Sequence, residues 1–376
     1  MLVIVKNCIK NNSFNSYYQS QRDKYGIQQG IFYQIKNTDI VMVLDKDSEV
    51  ILFQLSDAFT RLLTKRIERD VVQALETYST LQAVPLPDMT RHGLHYIDWL
   101  LEHPEFDFRR PENDPRLAKS GVYHFGTICS IGDPNGKKSP GVTRDSSRAI
   151  ERAAVADQYA KLRHGAFRAC TEMLNHVFRL LDPNLLEEYK KVGKELVKPW
   201  RSGLIDTGSQ DETFLLRAVL INLMTDEHKD LSDWHYGLAG IIPIGSFEGG
   251  DLLTRELGLQ TESKPGCLQL FRGRELRHSI TKWTGRRFVV TSSTHEAVKR
   301  WAFRRMGQSV SDDIPEVNDC FDVDQEDIRP EEQRILSEQE RIPERYMENS
   351  DESDFMLESD TSLGASDLSP NDGGTK

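Results

Sequence analysis

A histidine and an aspartate two residues apart, His228 and Asp230, stand in the stretch HKDLSDWHYGLAGIIPIGSFEGGD. Residues i and i+2 of an extended chain project from one face, so an imidazole and a carboxylate at this spacing can converge on one metal ion. The pattern by itself is cheap. With 10 His and 59 acidic residues in 376, random placement supplies about 1.6 H-x-[DE] pairs, and the chain holds two. The other, His103-Pro-Glu105, has a proline at its centre and runs into FRRPENDPRL, the composition of a surface loop.

His278, in GRELRHSI, follows His228 by 50 residues, across a block of short apolar runs. If that block folds as a double-stranded β-helix, strands distant in sequence face each other at the barrel mouth. His278 then completes His228 and Asp230 as a facial triad, which leaves three positions of an octahedral iron(II) open. A strand-end histidine hydrogen-bonded to backbone is the plainer alternative. Arg287 tips the balance toward the triad. It opens the apolar run RFVVTSS, where an inward arginine is costly without an anionic partner. A bound dicarboxylate such as 2-oxoglutarate is such a partner, since its carboxylate matches the guanidinium fork. Arg286 points to the opposite face, so only one of the two can serve.

These residues need elements to hold them. From about 213 the period is that of strands: TFLLRAVLINLM, HYGLAGIIPIG, DLLTREL, GCLQLF, ELRHSI and RRFVVTSS, divided by Gly, Pro or charged breaks. Many short strands in so few residues predict a sandwich or jelly roll. The helical repeat in SSRAIERAAVADQYAKLRHGAFRACTEMLNHVFRLL, then DPNLLEEY with Asp182 capping, predicts supporting helices over about 146–200. Nearer the N-terminus, GIFYQIKNTDIVMVLDKDSEVILFQL reads as a small antiparallel meander. It is followed by one amphipathic helix capped by Ser56, with Phe59, Leu62, Leu63, Ile67, Val71 and Leu75 on one face.

Taken in order, HKD, FEGGDL, SKPGCLQLFRGRELRHSI and WTGRRFVVT resemble the Fe(II)/2-oxoglutarate-dependent dioxygenase superfamily. Within it they look most like the fungal-type oxygenase domain related to the TET/JBP group, which oxidises 5-methyl pyrimidines. The resemblance runs over 213–303, roughly a quarter of the chain. It implies that His228, Asp230 and His278 bind Fe(II) and that Arg287 pairs with the cosubstrate 2-oxoglutarate. The implied reaction uses O2 to oxidise a substrate C–H bond, 2-oxoglutarate leaving as succinate and CO2. The implied fold is α+β: a double-stranded β-helix (jelly-roll, cupin-like) core with flanking α-helices and the small N-terminal meander. The substrate is left open between nucleic acid, with a base flipped from the stack, a protein side chain and a small molecule. A catalytically inactive, dioxygenase-like binding module is the alternative from another class, and four intact site residues argue against it.

Around this centre other residues have plainer readings. Asp233 and His235 are expected to be solvated, or at best to stand behind the ligands, and Asp251 to face solvent. Trp234, Tyr236 and Trp283 are expected to be packed rather than to line a cleft. Gly249-Gly250 and Pro265-Gly266 mark turns.

Composition bounds the rest. No apolar run approaches the roughly 20 residues that span a bilayer, and MLVIVKNCIK is too short for a signal-peptide core, so an intracellular, membrane-free address is expected. Five scattered cysteines without C-x-x-C spacing predict reduced thiols rather than a disulfide or zinc framework. The net charge of −11 is uneven: 311–376 carries 21 acidic and 5 basic residues, which leaves 1–310 at +5. The expected organisation is a meander plus helix over 1–95, a dioxygenase-like domain over 96–310 with its β-helix core at 213–303, and an acidic tail over 311–376.

Overall fold

Alternating apolar residues after position 213 do become strands, and their pairing decides the architecture. The computed structural model describes residues 2–5, 33–36, 39–45, 48–85, 92, 99, 101–104, 120–130, 133–196 and 212–311. The acidic segment 312–376, the FRRPENDPRL stretch, Cys8 and Cys320 lie outside them. The strands are β1 (Leu2–Val5), β2 (Tyr33–Ile35), β3 (Ile40–Leu44), β4 (Val50–Leu55), β5 (Gly121–Ile128), β6 (Gly141–Val142) and β7 (Leu216–Ile221). They continue with β8 (Ala239–Gly249), β9 (Leu252–Thr254), β10 (Leu259–Thr261), β11 (Leu268–Phe271), β12 (His278–Ile280) and β13 (Trp283–Ser293).

A nine-stranded sheet has the order β1-β3-β4-β11-β8-β13-β7-β5-β6, and a four-stranded sheet the order β12-β9-β10-β2. His228 bridges His278 at the free edge of β12. From β7 onward, β7, the His228 segment, β8, β9, β10, β11, β12 and β13 therefore fall in the large, small, large, small, small, large, small and large sheet. This is the connectivity of a double-stranded β-helix, two sheets closed face to face. The chain is α+β.

The N-terminal strands are built into this core. β3 and β4 pair antiparallel, and β4 pairs antiparallel with β11, extending the large sheet. β1 joins parallel to β3, while β2 lies parallel to β10 in the small sheet. These two long-range contacts have no signature in local alternation.

Helices α1 (Ala58–Leu62), α2 (Lys65–Leu81), α3 (Arg144–Ala149), α4 (Ala153–Lys161), α5 (Arg168–Leu181) and α6 (Pro183–Leu196) complete the frame with α7 (Glu296–Arg305). One helix was expected where α1 and α2 stand. Leu63 leaves helical geometry at φ −132°, and Thr64 restarts the helix by accepting the Ile67 N–H on its hydroxyl. That local cap outweighs continuing the first helix. A π-turn over Leu162–Phe167 joins α4 to α5. Asp182 caps α6 as expected, taking the Leu185 N–H at 2.9 Å.

Each face of the large sheet has its own packing. Val219, Ile242, Ile244, Phe288 and Val290 meet Val71, Leu75, Leu174, Phe178 and Tyr189 of the helices in the main core. The opposite face looks at the small sheet, where Leu52 and Phe271 pack with Leu252, Leu259 and Leu276. Side chains at odd positions of β13, Arg287 among them, therefore point between the sheets.

Candidate metal centre

The His228 segment and β12 are held against each other by reciprocal backbone bonds, His228 N to His278 O at 3.0 Å and His278 N to His228 O at 2.9 Å. In an antiparallel pair this sets the two side chains side by side, and the rings stand 4.3 Å apart. Asp230 reaches the same point from the next turn. Its N–H donates to Gly273 O at 3.0 Å, and its two carboxylate oxygens lie 3.5 Å from His228 Nε2 and 3.5 Å from His278 Nε2. One donor atom from each of the three falls within 4.8 Å of the others.

Hydrogen bonding orients both imidazoles. His228 Nδ1 is 2.8 Å from Asp226 O, and His278 Nδ1 is 2.9 Å from Leu276 O. A carbonyl only accepts, so each Nδ1 carries a proton, and in the neutral imidazole the lone pair is then on Nε2, which faces the Asp230 carboxylate. Three lone-pair donors then face one point, an arrangement that a cation relieves. Two nitrogens and one carboxylate on one side are the donor set of a facial site, and they suit iron(II). Access is uneven. His278 is buried against the edge of Phe271, whereas His228 and Asp230 are half-exposed.

Gly273 makes room for the aspartate. A Cβ there would lie 3.0 Å from Asp230 Oδ2 and 3.6 Å from the Phe271 ring. Gly250 does the same for Arg287, since its Cβ would meet the guanidinium Nε at 3.0 Å. Both are spaces that a side chain would fill, and sequence reading marked Gly250 only as a turn.

Arg286 and Arg287 differ in the way their alternation implies. Arg286 reaches outward to Glu76 of α2 at 2.8 Å. Arg287 is 4% exposed, and its Nε has no hydrogen-bond partner among the described residues. Its guanidinium lies over the Phe247 ring, 5.3 Å to the centroid. Burial pulls its pKa down to about 10, and Cys267 beside it opposes that shift. Its backbone is pinned by Asn222, whose Oδ1 accepts the Arg287 N–H at 2.9 Å and whose own N–H donates to Arg287 O at 2.8 Å. Asn222 has φ 45° and is fully buried. Nothing in the run LINLM announces that role, and only an asparagine's tolerance of left-handed backbone hints at it.

Several residues depart from their expected places. Asp233 is buried: its N–H closes a turn on Asp230 O at 2.9 Å, its carbonyl accepts from Arg274 Nη1 at 2.9 Å, and it bridges His295. It braces the ligand loop instead of being solvated. His235 is half-buried, and burial first, then the Arg274 charge, holds its pKa down to about 4. Asp251 does not simply face water, because its carboxylate takes Gln260 Nε2 at 2.8 Å and Ser263 N at 3.2 Å. Trp234 is packed as expected, stacked on Tyr189 at 4.2 Å, and so is Trp283, 4.8 Å from Trp99. Cys129, Cys170 and Cys267 are free and buried. His103 lies on Trp99, 4.8 Å between rings, and Glu105 is outside the described residues.

No family model and no curated protein matches the chain. Among solved structures it is similar to 2-oxoglutarate and iron(II) oxygenases. NgTET1 in complex with 5mC DNA shares 13% identity over 76% of this chain and 91% of that one, with a TM-score of 0.46. A 2OG-Fe(II) oxygenase family oxidoreductase from Burkholderia pseudomallei shares 10% over 79% and 96%, with a TM-score of 0.28. A putative 2OG-Fe(II) oxygenase family protein from Caulobacter crescentus shares 12% over 78% and 85%, with a TM-score of 0.30. Among the described residues no helix is long and apolar enough to cross a membrane.

Proposed function

We propose that this chain is an Fe(II)- and 2-oxoglutarate-dependent dioxygenase in which His228, Asp230 and His278 hold the metal and Arg287 anchors the remote carboxylate of 2-oxoglutarate. The observation that carries this reading is the combination of three converging lone-pair donors with a buried guanidinium that has an unsatisfied Nε. A dicarboxylic 2-oxo acid would chelate at one and pair at the other. Iron(II) bound there with 2-oxoglutarate and O2 would supply the oxidising power to hydroxylate a substrate C–H bond, releasing succinate and CO2.

The chain's own residues supply geometry, charge and dryness. The backbone carbonyls of Asp226 and Leu276 fix the neutral tautomers of His228 and His278, with Nδ1 protonated and Nε2 directed at the metal position. Asn222 fixes the backbone that carries Arg287, and Phe247 walls its guanidinium from water. A charge-assisted bidentate pair in such a dry site contributes roughly 1.5–3 kcal/mol to cosubstrate binding. His228 and Asp230, whose side chains are 15% and 26% exposed, put the solvent-facing side of the centre on their flank, where substrate would approach.

The unit that performs this chemistry is assigned to 96–310, with 1–95 as an N-terminal extension of its sheets and 311–376 as an acidic tail outside it. The finer reading of the substrate is a 5-methyl pyrimidine in nucleic acid, as the motif resemblance implies. The test is succinate release from protein supplied with Fe(II), 2-oxoglutarate and O2, in the presence of methylated oligonucleotides, peptides or neither. Stimulation by methylated oligonucleotides alone supports the pyrimidine reading, and stimulation by peptides alone replaces it. No turnover above that of the His278→Ala variant under any condition would contradict the enzyme reading.

A further inference from the structure

The two ligand-bearing segments touch a third element, the turn between β9 and β10, through contacts that the metal chemistry does not use. Arg255 N donates to Arg277 O at 3.0 Å, beside His278. Arg255 Nε donates to Glu227 Oε2 at 2.7 Å, beside His228. Glu256 goes deeper. It is 6% exposed, its Oε2 accepts the Arg277 N–H at 2.7 Å, and its Oε1 lies 3.9 Å from Lys229 Nζ. Lys229 stands between His228 and Asp230 in sequence, and its side chain is 9% exposed.

We infer that Glu256 is a positioning residue for the metal centre, one carboxylate gripping from behind the His228–Asp230 segment through Lys229 and the His278 strand through the Arg277 N–H. The inference rests on the proposed metal site and adds a residue to it. The geometry explains why an acid is kept in this place. Burial pushes the Glu256 carboxyl up to about 7, against the pull of Lys229 and of the Arg277 N–H and charge. A carboxylate so desolvated is costly unless it is engaged: Oε2 holds the Arg277 N–H, while Oε1 has no hydrogen-bond partner among the described residues and faces the Lys229 charge across 3.9 Å. A hairpin turn needs no buried acid: Gly258, at φ 61°, already closes this one with its N–H on Arg255 O. What the acid adds, beside Arg255, is a buried link from the turn to both segments, which also meet at the His228–His278 bridge and through the Ile280 N–H on Thr225 O.

The experiment measures Co(II) binding to metal-free protein at pH 8, following the visible d–d absorption that reports coordination, alongside thermal melting of the same metal-free samples. Glu256→Gln keeps an oxygen for the Arg277 N–H and loses the charge; Glu256→Ala loses both. Glu256→Ala combined with Lys229→Met removes the buried ammonium as well, so that the test survives if the single variant unfolds. We expect Co(II) affinity to fall ten- to a hundredfold in Glu256→Ala and in the double variant, with a changed d–d spectrum, and Glu256→Gln to recover part of the loss. Affinity and spectrum within twofold of the parent in the folded double variant would overturn the inference and leave the metal site standing. A parent protein that binds no Co(II), or binds it as well after His278→Ala, would instead overturn the metal site itself.

Discussion

At the residue scale, Arg287 is the charge whose presence the fold alone does not explain. Arg286 next to it is part-buried and paired with Glu76 on the helix side at 2.8 Å. Arg287 is buried with an unsatisfied Nε, a condition that costs about 1–3 kcal/mol until something accepts from it. Arg287→Ala is therefore expected to weaken 2-oxoglutarate binding ten- to a hundredfold while metal binding persists, and Arg286→Ala to leave the cosubstrate within about twofold. Isothermal titration of the metal-loaded protein with 2-oxoglutarate measures both; the reverse pattern would move the anchor to the other face of β13. Asp233→Asn is expected to leave metal affinity within about twofold, because Asp233 braces the loop through its backbone turn and its backbone bridge to His295, which asparagine keeps, and contributes no ligand atom to the triad.

At the scale of elements, the centre is held by turns, and their small residues are where it is vulnerable. Gly273 does not have positive φ, so alanine is permitted by the backbone, and its Cβ would press on Asp230 Oδ2 from 3.0 Å. Gly273→Ala is expected to shift the melting temperature by only a few degrees and to weaken metal binding about tenfold by displacing a ligand oxygen. An unchanged metal affinity, measured by Co(II) titration, would show that the carboxylate gives way without leaving the site. This scale also separates what sequence could and could not say. That His228, Asp230 and His278 would come together and Arg287 face inward was legible from the i, i+2 spacing, strand alternation and the order of the motifs; their roles are those proposed above. Asn222, Gly273 and Glu256 were not, because each acts on a residue far away in the chain and has an ordinary local context. The break between α1 and α2 was hidden likewise, since one Thr64 cap decides it inside a continuous apolar stripe.

For the whole molecule, the N-terminal strands are part of the β-helix: β3 and β4 lengthen the large sheet beside β11, and β2 completes the small one beside β10. Removing residues 1–55 takes away Val41, Val43 and Leu52, and is expected to expose Leu252, Leu259 and Phe271 of the inter-sheet core and to prevent folding, which a loss of cooperative melting would show. Parallel pairings such as β1 with β3 and β2 with β10 join segments with no turn between them, so local pattern gives no sign of them. The acidic segment behaves oppositely in expectation, since its composition offers little apolar area to offset chain entropy. Truncation after residue 311 is expected to lower the melting temperature by less than about 5 °C, and a larger fall would show that the segment docks on the body.

The most direct test of the account is an anaerobic titration of metal-free protein with Fe(II) in excess 2-oxoglutarate, followed by visible absorption. A 2-oxo acid chelated to iron(II) gives a metal-to-ligand charge-transfer band. We expect the band in the parent protein, its loss on replacing His228, Asp230 or His278 by alanine, and its persistence in Asp233→Asn and His235→Ala. Folded parent protein without the band, or a band that survives replacement of all three residues, would contradict it.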